Sequence, residues 1–337
     1  MSGTRQTVAG LPASGSFLFL ACCVFLFGSN RGRAASTLAP GSSPSDSPIV
    51  IPFEYAHGHI FLQLALGGSG MHTVMLDTGF TSDSKTIAID SRIAGQLRTD
   101  QGEPLQIVGL GADDIHGRKV DDIDVRLGDR AIVRSAAESF DFTALRVALR
   151  HPLDGIIGFA FLRDYVAEVD YPDRVLRLHD AARYRYHGAG TQISMDKSRP
   201  RIRVRVQLPS GEEREAQLLI DTGSDAVLIL DPRFVGRHGP SQRILNVEQS
   251  SYIGLGRRFA CDVVQLSKMQ FGDNSFQRQI LIQSFYALLA PLSRGAPDRS
   301  RLDGDLGNKV LEQMDVIFDP RRGRVILEVP PVKVAMR

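Results

Sequence analysis

The sequence predicts a mainly β protein built as two homologous lobes, and three observations predict it. Alternating apolar and polar residues flank a glycine-containing turn twice, once from Ile60 and once from Ile202. Both copies run into the same triplet, Asp77-Thr78-Gly79 and Asp221-Thr222-Gly223. Later segments follow in the same order at nearly constant spacing: 144 positions at the Asp (77 to 221), 145 at a Gly-x-Gly segment (109 to 254) and 149 at an Asp-Gly segment (155 to 304). A repeat held over that length marks a duplicated structural unit. Short alternating runs with few helical stretches mark β-structure.

Composition agrees with this division. The 337 residues are 43% hydrophobic and 23% charged, a globular balance that suggests about two domains at roughly 150 residues each. Forty Lys and Arg against 38 Asp and Glu leave a formal charge of +2. Such a balance gives no reason to expect nucleic acid or an anionic membrane surface as partner. The cysteines are Cys22 and Cys23, in an apolar N-terminal stretch, and Cys261. That pattern excludes a disulfide framework and a cysteine-based zinc site.

The first element is a targeting segment. From Gln6 to Asn30 there is no charge, and the most apolar part, Phe17 to Phe27, is eleven residues long. A membrane helix needs about 20, so this length fits the h-region of a signal peptide. Residues 1–34 are expected to be a signal peptide, with an uncleaved N-terminal anchor as the alternative and as the only route to a membrane. The chain is accordingly expected to be exported, periplasmic or secreted. Residues 35–48, rich in Ser, Pro and Gly, read as a flexible tether.

The lobes span 49–187 and 188–331, joined near Tyr186 to Pro200, with a short tail at 332–337. In the second copy Ile202, Val204, Val206 and Leu208 are expected on one strand face, with Arg203, Arg205 and Gln207 on the other. Ile107-Val-Gly109-Leu-Gly111 recurs as Tyr252-Ile-Gly254-Leu-Gly256, and Leu153-Asp-Gly-Ile-Ile-Gly158 recurs as Leu302-Asp-Gly-Asp-Leu-Gly307. Each copy continues with a short helical run, from Phe159 to Tyr165 and from Asn308 to Met314. Each ends in a closing hairpin, from Val169 to Leu178 and from Val316 to Leu327.

One Asp-Thr-Gly means little: a chain of this length contains one by chance about one time in ten, and Asp and Gly favour turns. Turn preference does not explain why both copies keep the triplet behind an apolar strand. With these residues the chain resembles the aspartic proteases of the retropepsin-like kind, with two lobes fused in one polypeptide as in the pepsin group. The run Asp154-Gly-Ile-Ile-Gly-Phe-Ala-Phe-Leu-Arg163, followed by Val169-Asp-Tyr171, is similar to bacterial predicted aspartyl proteases. The resemblance extends from Phe53 to Val329.

It implies a bilobal acid-protease (retropepsin-like) fold with pseudo-two-fold symmetry and an Asp77/Asp221 catalytic dyad at the lobe interface. By the same resemblance Thr78, Gly79, Thr222 and Gly223 support the two loops, with each Thr hydrogen-bonding across the interface. Gly109, Gly111, Gly254 and Gly256 would lie in flap hairpins that close over a peptide or protein substrate. Two other readings stay open: a non-catalytic peptide-binding module on the same fold, and a protease whose dyad forms between chains.

The chemistry of such a pair follows from electrostatics. Two carboxylates about 3 Å apart repel by on the order of 5 kcal/mol at an effective dielectric near 20. That separates their ionisations by about 4 pH units, so one proton is shared over a broad range, as in aspartic-protease dyads. The ionised member takes a proton from water while the protonated member polarises a peptide carbonyl. No metal, cofactor or covalent intermediate is required.

Two positions depart from the family pattern. Phe80 follows the first triplet, where relatives carry a small residue, whereas Ser224 follows the second. Asp305 stands where the first copy has Ile156, setting a charge in an apolar support segment. A phenyl ring beside Asp77 disfavours its charged form, which makes Asp77 the expected protonated member.

The remaining candidates are weaker. His57-Gly58-His59 lacks a third metal ligand with supporting spacing. Ser139, Asp141, His151 and Asp154 assemble into a triad only on paper, since no Gly-x-Ser-x-Gly elbow occurs. Gly109-Leu-Gly111 runs into Ala112-Asp113-Asp114, whose charges repel phosphate. The basic run from Arg199 to Arg205 alternates as one solvated strand face, and Cys261 reads as a small buried apolar residue.

Overall fold

In the computed structural model the described residues are 4–8, 18–21, 24–26, 47–80, 86–98, 102–109, 112–129, 131–196, 199–238, 248–254, 257–272, 278–289 and 302–329. They form two mainly β lobes. The first begins with the antiparallel strands Ile49–Ala56, His59–Leu66 and Met71–Leu76. Its centre is the three-residue strand Gly155–Ile157, parallel to Met71–Leu76 on one side and antiparallel to Thr86–Asp90 on the other. Ala131–Phe140 runs parallel to Thr86–Asp90 and antiparallel to Ala112–Leu127, which pairs with Pro104–Gly109.

The second lobe repeats each step. Gly304–Leu306 lies parallel to Glu213–Ile220 and antiparallel to Leu228–Leu230. Arg278–Leu289 runs parallel to Leu228–Leu230 and antiparallel to Arg257–Phe271, which pairs with Glu248–Gly254. The central strands are buried along their whole length, as strands flanked on both sides require. In the hairpin Arg201–Gln207/Glu213–Ile220 the expected alternation holds: Ile202, Val204, Val206 and Leu208 are buried, while Arg203 is exposed and Arg205 and Gln207 are half-buried.

Side-chain hydrogen bonds follow the repeat as closely as the strands do. Asp154 accepts from the Thr73 amide, and Asp303 from the Gln217 amide. Asp90 binds the backbone and guanidinium of Arg92, just as Asp231 binds those of Arg233. The backbone amides of Asp90 and Asp231 in turn donate to the carbonyls of Asp154 and Asp303. Each lobe thus closes its central strands with the same pair of capped aspartates.

The lobes meet in a six-stranded sheet, ordered Thr191–Ser194, Arg324–Glu328, Asp315–Asp319, Tyr165–Asp170, Val175–Asp180 and Ile49–Ala56. Its middle junction pairs Ala167 with Phe318, Glu168 with Ile317 and Val169 with Val316. Residues 167, 168 and 169 correspond in the repeat to 316, 317 and 318, an offset of 149. Each outer pair is therefore the two-fold image of the other, and the pseudo-two-fold axis passes through the Glu168–Ile317 pair.

Three sequence expectations are refined. The helical runs are shorter than expected, a 3-10 turn at Phe159–Phe161 and an α-turn at Asn308–Leu311, because Tyr165 and Asp315 already belong to strands. The join between lobes is not only a linker, since Thr191–Ser194 pairs with Arg324–Glu328. In the stretch expected to act as a signal peptide, Leu18–Ala21 pairs with Ser251–Gly254, and Val24–Leu26 with Ile107–Gly109. Among the described residues no helix is long and apolar enough to cross a membrane.

Candidate active site

Each Asp-Thr-Gly triplet follows directly from a buried apolar strand end, Val74-Met75-Leu76 or Leu218-Leu219-Ile220. The strand leaves no room to continue, because the next backbone amide is claimed by the central strand: Asp77 N donates to Ile157 O and Asp221 N to Leu306 O, both at 2.9 Å. The chain then turns back, with Phe80 N donating to Asp77 O and Ser224 N to Asp221 O. This geometry brings Asp77 and Asp221 together at the lobe interface, both fully buried.

The two threonines bind each other's loops reciprocally. Thr78 N donates to Thr222 Oγ1 and Thr222 N to Thr78 Oγ1, each at 3.0 Å. The hydroxyls then donate onward, Thr78 Oγ1 to Ile220 O at 2.7 Å and Thr222 Oγ1 to Leu76 O at 2.8 Å. Serine would supply the hydroxyl, but the threonine methyl group adds a stiff rotamer. Glycine at the third position follows from contact: a β-carbon at Gly79 would overlap the Asp221 carboxylate, and one at Gly223 would overlap that of Asp77.

Asp77 Oδ1 accepts from Phe80 N at 2.8 Å, and Asp221 Oδ1 from Gly223 N at 2.9 Å. Among the described residues no N–H or hydroxyl hydrogen-bonds Asp77 Oδ2, and each carboxyl lies against the glycine of the opposite triplet. Two carboxyls set this close favour a state in which one of them carries a proton. Burial, then the charge of Asp221 and the hydrogen bond to it, push the Asp77 carboxyl well above its ordinary range, against the opposing amides of Phe80 and Gly79.

The surroundings of the two carboxyls differ. Phe80 is buried in an apolar cluster with Met75, Ala88 and Ile156, which also takes in Ile253 from the second lobe. The hydroxyl of Ser224, its counterpart, accepts from Ala226 N at 3.3 Å. Asp305 is fully buried and lies in register between Leu219 and Ile229, where the first lobe has Ile156 between Met75 and Ala88. The carboxyl therefore replaces an apolar side chain without breaking the strand.

Of the four flap candidates, Gly109 ends its strand opposite Ala112, and Gly254 pairs with Arg257; Gly111 and Gly256 lie outside the described residues. The minor candidates have other duties. His59 is buried with Nδ1 2.8 Å from His57 O. His151 stacks on Phe61 and pairs with Glu54, and Asp154 caps Thr73. Burial pushes the Cys261 thiol up to about 11. Among the described residues no group of three or more His, Cys, Asp or Glu could hold a metal ion.

Sequence reasoning passed over Asn308, which is fully buried between the lobes and bonded to Tyr171, Gly58 and Thr222. The signal was present as a mismatch, since the repeat sets Asn308 against Phe159. A second bond between lobes joins the Tyr55 hydroxyl to Glu312 at 2.6 Å. No protein-family model matches the chain, and a search of curated proteins finds no match.

Proposed function

We propose that this chain is an exported aspartic endopeptidase of the retropepsin-like, bilobal kind, hydrolysing peptide bonds with the Asp77/Asp221 pair. The observation that carries the reading is the pair of buried, adjacent carboxyls centred on a reciprocal threonine exchange. A structural role alone gives no reason to bury two acids against each other, since an isolated buried charge is costly. Meeting within one chain also favours the intrachain dyad over one formed between chains.

In this reading Asp221 is the base and Asp77 the acid. The ionised Asp221 takes a proton from the attacking water as oxygen bonds to the scissile carbonyl carbon. Asp77 donates its proton to the carbonyl oxygen, so no net charge develops on the protein. As the C–N bond breaks, Asp221 gives its proton to the leaving nitrogen and Asp77 takes one from the tetrahedral hydroxyl, which restores the pair. The substrate is a peptide or protein, and the chemistry draws on no cofactor.

The deciding assay is cleavage of a denatured protein from acid to neutral pH by the wild type and by Asp77→Asn. Cleavage by the wild type alone supports the reading. Binding of peptides without turnover by either protein would favour a non-catalytic module instead.

A further inference from the structure

We propose that Asn308 is a positioning residue that fixes the Asp221 carboxylate through a single shared peptide group; the proposal rests on the dyad reading above. The carboxamide uses all its polar groups. Nδ2 donates to Gly58 O at 2.7 Å and to Thr222 O at 2.6 Å, while Oδ1 accepts from the Tyr171 hydroxyl at 2.6 Å. The partners fix the amide's orientation, because two carbonyls can only accept. Tyr171 and Gly58 belong to the first lobe, so the second lobe's side chain is anchored in its neighbour.

The Thr222 carbonyl is one end of the planar peptide group between Thr222 and Gly223. The N–H at the other end donates to Asp221 Oδ1 at 2.9 Å. A continuous series of hydrogen bonds therefore runs from Tyr171 through Asn308 and this peptide to the carboxylate. Bonds in series polarise one another, so a proton donor on the carbonyl strengthens the N–H that faces Asp221. The arrangement favours charge on Asp221.

Among the described residues the first lobe has no copy of the carboxamide that backs this peptide, and Asp77 Oδ1 accepts from Phe80 N as well as feeling the Gly79 amide. The position after Gly158 is Phe159, whose ring packs on Phe318 at 5.6 Å. Tyr171 has Pro320 as its counterpart, 149 positions on. The asymmetry lies on the side that matches the chemistry: the supported carboxylate is the base, and the other keeps the proton.

The test uses the full chain with Tyr171→Phe and Asn308→Leu, both neutral and close in size to the originals. Asp side-chain carboxyls are labelled with carbon-13 and titrated by NMR, with Asp77 and Asp221 assigned from their Asn variants. Removing the series weakens the Gly223 N–H donation, so the lower apparent pKa of the pair rises in both variants. With turnover present, kcat falls about tenfold in Asn308→Leu and about threefold in Tyr171→Phe at nearly constant KM, and the acid limb of the kcat profile moves to higher pH. If Asn308→Leu does not fold, Tyr171→Phe carries the test alone. An unchanged carboxyl titration in a folded variant, with any activity lost only in step with Tm, would overturn the proposal. A shifted titration in a protein that cleaves nothing would leave the positioning role standing and remove the protease reading.

Discussion

Thr78 and Thr222 exchange backbone-to-hydroxyl hydrogen bonds of equal length, 3.0 Å in each direction, across the interface between lobes. Each threonine is therefore structural for the opposite loop rather than its own. Association of the lobes and alignment of Asp77 with Asp221 become a single event.

Replacing Thr78 with Val tests that coupling. The change keeps the shape but removes the acceptor for Thr222 N and the donor to Ile220 O. At about 1–3 kcal/mol for each buried group left unsatisfied, urea unfolding should register a loss of about 2–6 kcal/mol. Thr78→Ser should recover most of it. A loss below about 1 kcal/mol in Thr78→Val would mean that the lobes are held elsewhere.

Asp77→Asn and Asp221→Asn should each lower hydrolysis by at least about a thousandfold, within the range ascribed to general acid–base groups, with folding retained. Stability should move the other way for Asp77. Its folded pKa lies above the unfolded value, so the wild type loses stability as pH rises from about 4. Asp77→Asn should melt higher than wild type at pH 7 and match it near pH 3. Equal melting differences at both pH values would show that the carboxyl is not strained by ionisation.

Phe80→Ser should shift the upper limb of the activity profile towards acid. The ring is buried against the loop whose amide binds Asp77, and removing it admits water and eases ionisation of the acid member. The cavity should also cost about 3–5 kcal/mol, a range known for large-to-small core changes. An unmoved upper limb would assign Asp77's proton affinity to Asp221 alone.

A second pH effect belongs to the interface sheet. Burial, then the charges of Asp170, Glu168 and Glu328, push Asp315 up to about 6. A raised acid destabilises the fold once ionised, so its penalty grows from about pH 4 to pH 6 and is complete above that. Asp315→Asn should raise the urea midpoint at pH 7 and leave it unchanged near pH 3.5. The same gain at both values would point to packing rather than charge.

Much of this was legible in the sequence for physical reasons. Strands betray themselves by alternation, which is why Ile202 to Leu208 could be assigned to a face, and a duplicated triplet can be aligned without a structure. What escaped depended on contacts between distant residues. Asn308 and Tyr171 are 137 positions apart, and the repeat sets a different residue type against each, Phe159 and Pro320. The Asp90 and Asp231 caps were within reach, because Asp-x-Arg occurs in both copies, but a short exposed-looking motif carries no sign of burial. The helical runs were overextended because Leu162 to Tyr165 fits either period, and pairing of Tyr165 with Asp180 decided for the strand.

The pair at the symmetry axis, Glu168 opposite Ile317, also sets what each half would do without the other. A half alone ends in an open strand edge, and an open edge is a template for further strands. Its shape suits a second copy of itself, since the two-fold relates the rungs on either side. Two first halves would set Glu168 against Glu168, and hydrogen bonding to His179 and the charge of Arg177 keep that carboxylate ionised; like charges directly opposed are unfavourable. Two second halves would set Ile317 against Ile317, while the same register would bring Asp315 opposite Asp319. The central rung is thus charged on one half and apolar on the other, a difference that covalent fusion conceals.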